Sequence, residues 1–110
     1  MMFQRDKIAE VDAPTAQAWL KSGDAVMIDV REDDEVANAA VANVKLLPMS
    51  HVGVDEYPDF GAKKVVVLCH SGARSARVTA ALAARGVEAF NLKGGIVAWI
   101  QAGLPVNRGR

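Results

Sequence analysis

The most constraining stretch of this chain is Val65-Val66-Val67-Leu68-Cys69, five apolar residues in unbroken succession, with Lys63-Lys64 before it and the polar turn His70-Ser71-Gly72 after it. A strand with one wet face alternates apolar and polar residues. A continuous run fits a strand buried on both faces, the situation of a central strand in a parallel sheet covered by helices. The chain must therefore supply helices for both sides.

The flanking sequence meets that demand. Asp12 or Ala13 ends an extended segment, Pro14 suits an early helical turn, and Ala16 and Leu20 share a face of a helix from Pro14 to Lys21 that Ser22-Gly23 stops. Ala25 to Ile28 reads as a buried strand leading to Asp29-Val30-Arg31. The acidic run Glu32-Asp33-Asp34-Glu35 then fits the start of another helix, where negative charge meets the positive helix end. Val41 to Leu47 is a second strand, interrupted by Asn43 and Lys45 and ended by Pro48, and Val52 to Phe60 is a connector with room for a helical turn. After the Cys69 turn, a helix from about Arg74 to Arg85 packs through Val78, Ala81 and Leu82 until Gly86 stops it. Glu88 to Leu92 is a last strand, Gly94-Gly95 a sharp turn, and Ile96, Val97, Trp99 and Ile100 the apolar face of a terminal helix, with Trp99 packing the core. Strands alternating with helices give an α/β fold.

A length of 110 residues allows one domain spanning 1–110 with short frayed termini, and 51% apolar content argues against disorder. No run approaches the roughly 18 to 20 apolar residues of a membrane span, and the N-terminal dozen residues carry mixed charge without a signal-peptide block, so a cytoplasmic location and no membrane partner are expected. A single cysteine excludes an internal disulfide and multi-cysteine metal sites. His51, read as a connector residue, and His70 show no ligand spacing with it, so neither metal nor other cofactor is expected.

The 13 basic and 13 acidic residues cancel, but residues 1–60 hold five Lys/Arg against twelve Asp/Glu, and residues 61–110 hold eight against the lone Glu88. Without a basic tract interleaved with aromatics this is no nucleic-acid signature; a small anion near a few basic groups is the economical reading. Since the basic half also carries Cys69, an electropositive opening is expected there, unless folding brings the acids 32 to 35 to the same place.

Cys69 stands where the buried strand meets a glycine-containing loop and a helix start, and in open α/β sheets ligands collect at the carboxyl ends of strands. Loop amides, the positive helix end and a nearby cation all favour a thiolate, and Gly72 gives the loop backbone freedom. The alternative is an inert core thiol, but a polar loop with two arginines is not what such a thiol calls for.

Three ordered segments carry a family resemblance: Val26-Met27-Ile28-Asp29-Val30-Arg31 with Glu32 and Glu35; Val65 to Leu68 leading into Cys69-His70-Ser71-Gly72-Ala73-Arg74-Ser75; and Leu92-Lys93-Gly94-Gly95-Ile96 with Trp99, Gly103, Leu104, Pro105 and Val106. Together they resemble a rhodanese-like, single-domain sulfurtransferase over nearly the whole chain. The resemblance implies a central five-stranded parallel sheet flanked by helices and a persulfide on Cys69. Sulfane sulfur would pass from thiosulfate or a related persulfide to cyanide or a thiol acceptor, with small sulfur anions as substrates and an acceptor protein as a partner. His70, Ser71, Gly72, Ala73, Arg74 and Ser75 would line the substrate. Arg74 is the leading anion ligand, with a loop-closing role on carbonyls or Asp29 as its alternative. Asp29 holds the loop or an arginine. Arg31 is placed with Asp29 as structural support of the site, adding positive field there or making a surface pair with the acids that follow. His70 shapes the loop rather than acting as a base.

Val36-Ala37-Asn38-Ala39-Ala40-Val41 lacks the family's Gly-His-Ile-x-Gly-Ala pattern. The Cys-to-Arg loop is one residue shorter than the Cys-x5-Arg loop of phosphatases and arsenate reductases, which disfavours a phosphate-sized anion. A non-catalytic or redox-sensing interaction module is the remaining alternative.

Overall fold

The computed structural model describes residues 8–50, 53, 56–61 and 63–108. His51, the extreme termini read as frayed, and part of the 52–60 connector lie outside the described residues. In chain order the elements are β1 (Glu10–Val11), α1 (Ala13–Ser22), β2 (Ala25–Asp29), α2 (Asp33–Asn38), β3 (Ala39–Ala40), β4 (Lys45–Leu46), β5 (Lys64–Leu68), α3 (Ala73–Ala84), β6 (Ala89–Leu92), α4 (Gly95–Gln101) and β7 (Asn107–Arg108).

Five strands form one parallel sheet in the order β1-β6-β5-β2-β4, as the resemblance implied. β5 is its centre. Val65 to Leu68 are fully buried and Cys69 is 1% exposed, because both faces of the strand are covered. Val66 and Leu68 pack with Ala16, Ile96 and Trp99 on the side of α1 and α4. Val65, Val67 and Cys69 pack with Val78 and Leu82 of α3 on the other. A run without alternation is what two apolar faces require.

Local chemistry sets the helix ends. Asp12 is the N-cap of α1, its carboxylate accepting from the Thr15 amide at 2.9 Å, so the residue read as ending an extended segment also starts the helix. Glu32 and Glu35 form a reciprocal capping box around the first turn of α2. The strand expected over Val41 to Leu47 shrinks to Lys45–Leu46, since Asn43 takes a left-handed conformation (φ 63°) that breaks an extended run. The extended segment before Asp12 is β1, which joins the sheet edge beside β6. Two short elements were not anticipated: β3 and β7, which pair antiparallel in a separate two-stranded ribbon.

Arg31 corrects the surface reading. It is 2% exposed, and its guanidinium donates to both Asp29 carboxylate oxygens, with Nε to Oδ1 at 3.0 Å and Nη2 to Oδ2 at 2.8 Å. Remaining donors reach the carbonyls of Glu35 (3.3 Å) and Ala39 (2.7 Å). One buried cation thus ties the end of β2 to the last turn and C-cap of α2, and pairing of Asp29 with Arg31 leaves Arg74 to another partner.

The last turn of the site's scaffold is a backbone contact. α4 begins against the chain leaving β5: the Ile96 and Val97 amides donate to the carbonyls of Cys69 (2.9 Å) and His70 (3.2 Å). The approach is so close that a Cβ on Gly95 would sit 2.3 Å from the His70 carbonyl oxygen and 2.5 Å from that of Cys69, at a φ of +62°.

Two stability outcomes follow from this packing. Arg31→Met, which strands the buried Asp29 carboxylate, is expected to cost about 3–5 kcal/mol in urea unfolding, with part of the loss recovered in Asp29→Leu/Arg31→Met; a loss under about 1 kcal/mol would mean the pair is solvated. Gly95→Ala should cost more than the roughly 1 kcal/mol expected at Gly23, whose φ of +83° is similar but whose Cβ position is open. Equal losses at the two glycines would refute the close-approach argument.

Candidate active site

Cys69 lies at the carboxyl end of β5, just where the helix-covered sheet gives way to the loop 70–72 and α3. Three donors converge on its sulfur: the amides of Gly72 (3.1 Å) and Ser75 (3.3 Å) and the Ser75 hydroxyl (3.1 Å). Gly72 makes the curl possible, adopting a φ of +105° closed to most side chains. Burial pushes the Cys69 thiol up, but the hydroxyl and amide of Ser75 together with the amides of Gly72 and Arg74 outweigh it, and the thiol titrates below its ordinary value. The loop is arranged for a sulfur anion.

Ser75 is fully buried, and Thr79 donates to its carbonyl at 2.8 Å. Its hydroxyl also lies within hydrogen-bond reach of the Asn91 side-chain oxygen. Having one proton, it donates to the sulfur or to Asn91 at any moment. The Asn91 amide group donates to the Gly72 carbonyl at 3.0 Å, which orients Asn91 and braces the loop from β6. Sequence reading missed Asn91, yet a signal existed: a polar residue inside the short strand Glu88 to Leu92, in register with Val67 on the neighbouring strand, is buried and must find a partner.

Of the other expected lining residues, His70, Ser71 and Ala73 are exposed and Arg74 is half-buried. Arg74 does not meet Asp29. Its Nη1 and Nη2 each donate to a carboxylate oxygen of Glu35 at 2.7 Å, a bidentate ion pair between groups 39 residues apart in the chain. The Arg74 hydrogen bonds hold the Glu35 carboxyl down at about 2, well below the carboxylate range, and raise Arg74 further. Glu35, read from sequence as a helix-start acid, is also the partner of the loop arginine. Asp29 and Arg31 form a layer of support beneath: Arg31 holds the Glu35 carbonyl, and Glu35 holds Arg74.

Folding does bring acids to the opening, since Glu35 and Glu32 stand beside Arg74. Lys63, Lys64 and Arg85 belong to the opposite end of the sheet, where β5 begins and α3 ends, whereas Lys93 follows β6 at the same end as Cys69 and lies beside Asp12. The charges acting on Arg74 are Glu35, Cys69 and Glu32. Among the described residues, no group of three His, Cys, Asp or Glu side chains is placed to hold a metal, and no helix is long and apolar enough to cross a membrane.

The sequence matches the rhodanese-like domain family over residues 12–102, from the N-cap of α1 to the C-cap of α4. It is 37% identical over 95 residues to an uncharacterized protein of Synechocystis sp., covering 84% of this chain and 53% of that protein, so the chain spans about half the length of this relative. A sulfurtransferase of Allochromatium vinosum is 33% identical over 103 residues, covering 90% of this chain and 94% of its own. Among solved structures, a rhodanese-related protein from Thermoplasma volcanium superposes with a TM-score of 0.78 at 29% identity, over 90% of this chain and 97% of that one. Sheet order, the loop after β5 and the matched span agree, and the chain belongs to the rhodanese-like domain family, beside relatives named as sulfurtransferases.

Proposed function

We propose that this protein is a sulfurtransferase that carries sulfane sulfur on Cys69, from thiosulfate or a persulfide donor to cyanide or a thiol acceptor. The observation that supports this most directly is the convergence of the Gly72 amide, the Ser75 amide and the Ser75 hydroxyl on one sulfur atom. In the first step the Cys69 thiolate attacks the outer sulfur of the donor. A new S–S bond forms, the donor's own bond to that sulfur breaks, and sulfite or a thiolate leaves with the bonding pair. In the second step an acceptor thiolate or cyanide attacks the outer sulfur of the Cys69 persulfide and Cys69 departs as thiolate, restoring the enzyme with no net proton required of a side chain. Splitting one transfer into two displacements needs a good nucleophile that is also a good leaving group, and a thiolate held by amides is both. Ser75 and Gly72 serve as anion donors, Ala73 and Ser71 shape the loop, and His70 lines the exposed side. A thiol that must return reduced after each cycle suits the cytoplasm.

A phosphatase reading is disfavoured by the tight curl, in which the Gly72 and Ser75 amides already contact the sulfur itself rather than enclosing a tetrahedral anion above it.

Intact mass after thiosulfate treatment is expected to rise by about 32 Da, one sulfur, on Cys69, and to fall back when cyanide is added. Cys69→Ser should keep the fold and lose turnover; full activity in that variant would end the proposal. The pH profile follows from the lowered thiol: because the anion is the nucleophile, the loading rate should climb with pH and level off below the ordinary thiol value. A rate that begins to climb only at or above about 8.5 would show that burial has won over the hydrogen bonds.

A further inference from the structure

We infer that the Glu35–Arg74 pair makes this site discriminate against doubly charged donors such as thiosulfate, in favour of sulfane-sulfur donors carrying at most one negative charge, such as persulfides of thiols without further acidic groups. This rests on the sulfurtransferase reading and specifies its donor class.

The guanidinium is the one loop side chain built to fork onto sulfonate oxygens, and its fork is already filled. Both terminal nitrogens of Arg74 are bonded to Glu35 at 2.7 Å. Glu35 is not free to swing away. Its carboxylate also accepts from the Glu32 amide at 3.0 Å in the capping box, and its carbonyl is gripped by the buried Arg31. It stays ionised across the working pH range, with its carboxyl held at about 2. Glu32, fixed by Ser50, adds a second acid to the field at Arg74. With the Cys69 thiolate, the interacting set holds three negative charges against one positive. A dianion approaching it is repelled unless it takes Arg74 from Glu35, and a monoanion faces half that cost. Lys63, Lys64 and Arg85 are at the other end of the sheet. At this end Lys93, which follows β6, faces Asp12, and Arg77 is exposed on α3 less than a turn beyond Arg74.

The test isolates charge by comparing thiosulfate with methanethiosulfonate. Both present an outer sulfur on a sulfonyl centre, but they carry two charges and one. Cys69 attacks the outer sulfur of either, releasing sulfite or methanesulfinate with the bonding pair, and intact mass reads the persulfide over time. The ratio of the two second-order loading rates, thiosulfate over methanethiosulfonate, removes loss of the nucleophile as an explanation. In Glu35→Gln, where the fork is freed and one negative charge removed, this ratio should rise about tenfold. In the unaltered protein the same ratio should rise with ionic strength, because screening relieves the dianion more. The salt arm stands even if Glu35→Gln fails to fold.

A ratio changed by less than about twofold in a folded Glu35→Gln, or one that falls with salt in the unaltered protein, overturns the inference while leaving the sulfurtransferase reading intact. If neither donor loads Cys69, the reading itself falls and the inference with it.

Discussion

The active loop depends on a backbone contact that no side chain makes. The first turn of α4 lies directly on the chain leaving β5, and its Ile96 and Val97 amides take the carbonyls of Cys69 and His70. Those two carbonyls are thereby fixed against α4, and the Gly72 and Ser75 amides that reach the sulfur come from the turn just beyond them. Gly95 is the condition for this, since any side chain would occupy the space of the two carbonyl oxygens. The terminal helix is thus part of the thiol's environment without contributing a group to it. Its anchoring by Trp99, whose indole donates to the Pro105 carbonyl at 2.9 Å, also steadies the loop.

Beneath the loop, two arginines of one chain perform opposite tasks. Arg31 is buried and saturated by Asp29 and two carbonyls, which makes it a structural tie. Arg74 is half-buried and forks onto the Glu35 carboxylate at the rim, which makes it part of the charge pattern of the opening. Glu35 connects the two, held through its carbonyl by Arg31 and through its carboxylate by Arg74. Placement of α2 therefore decides the charge of the opening, and placement of α2 is decided by the buried pair.

What could be read from the sequence was whatever is written locally. Val65 to Cys69 announces a central strand because five consecutive residues bear the pattern, and the loop after it can be read from Gly72 and its neighbours. α1, α3 and α4 follow from helical spacing and from stops at Gly23 and Gly86. The misplaced features are pairings between distant segments. Glu35 lies 39 residues from Arg74, and Asn91 lies 16 from Ser75, so neither partnership leaves a mark on either local pattern. A supporting role for Arg31 could be read from the sequence, but its burial could not: the acids beside it suggest a surface pair, whereas those acids cap α2 and the arginine turns inward onto Asp29. The charge asymmetry says little about the opening for a related reason: a βα unit returns the chain to the far end of the sheet, so Lys63, Lys64 and Arg85 end up remote from Cys69, while Glu32 and Glu35 from the acidic half come close to Arg74.

The depth of Cys69 has a consequence for how the two halves of the proposed cycle differ. At 1% exposure the bare sulfur is recessed beneath the loop, so in the proposed cycle a donor must bring its terminal atom down to it. Once loaded, the reactive atom is no longer Sγ but the sulfur bonded to it, one S–S bond of about 2 Å nearer to solvent. The same residue is thus recessed as a nucleophile and protruding as an electrophile. In the proposed cycle a slender donor suits the way in, and a bulkier acceptor thiol suits the way out.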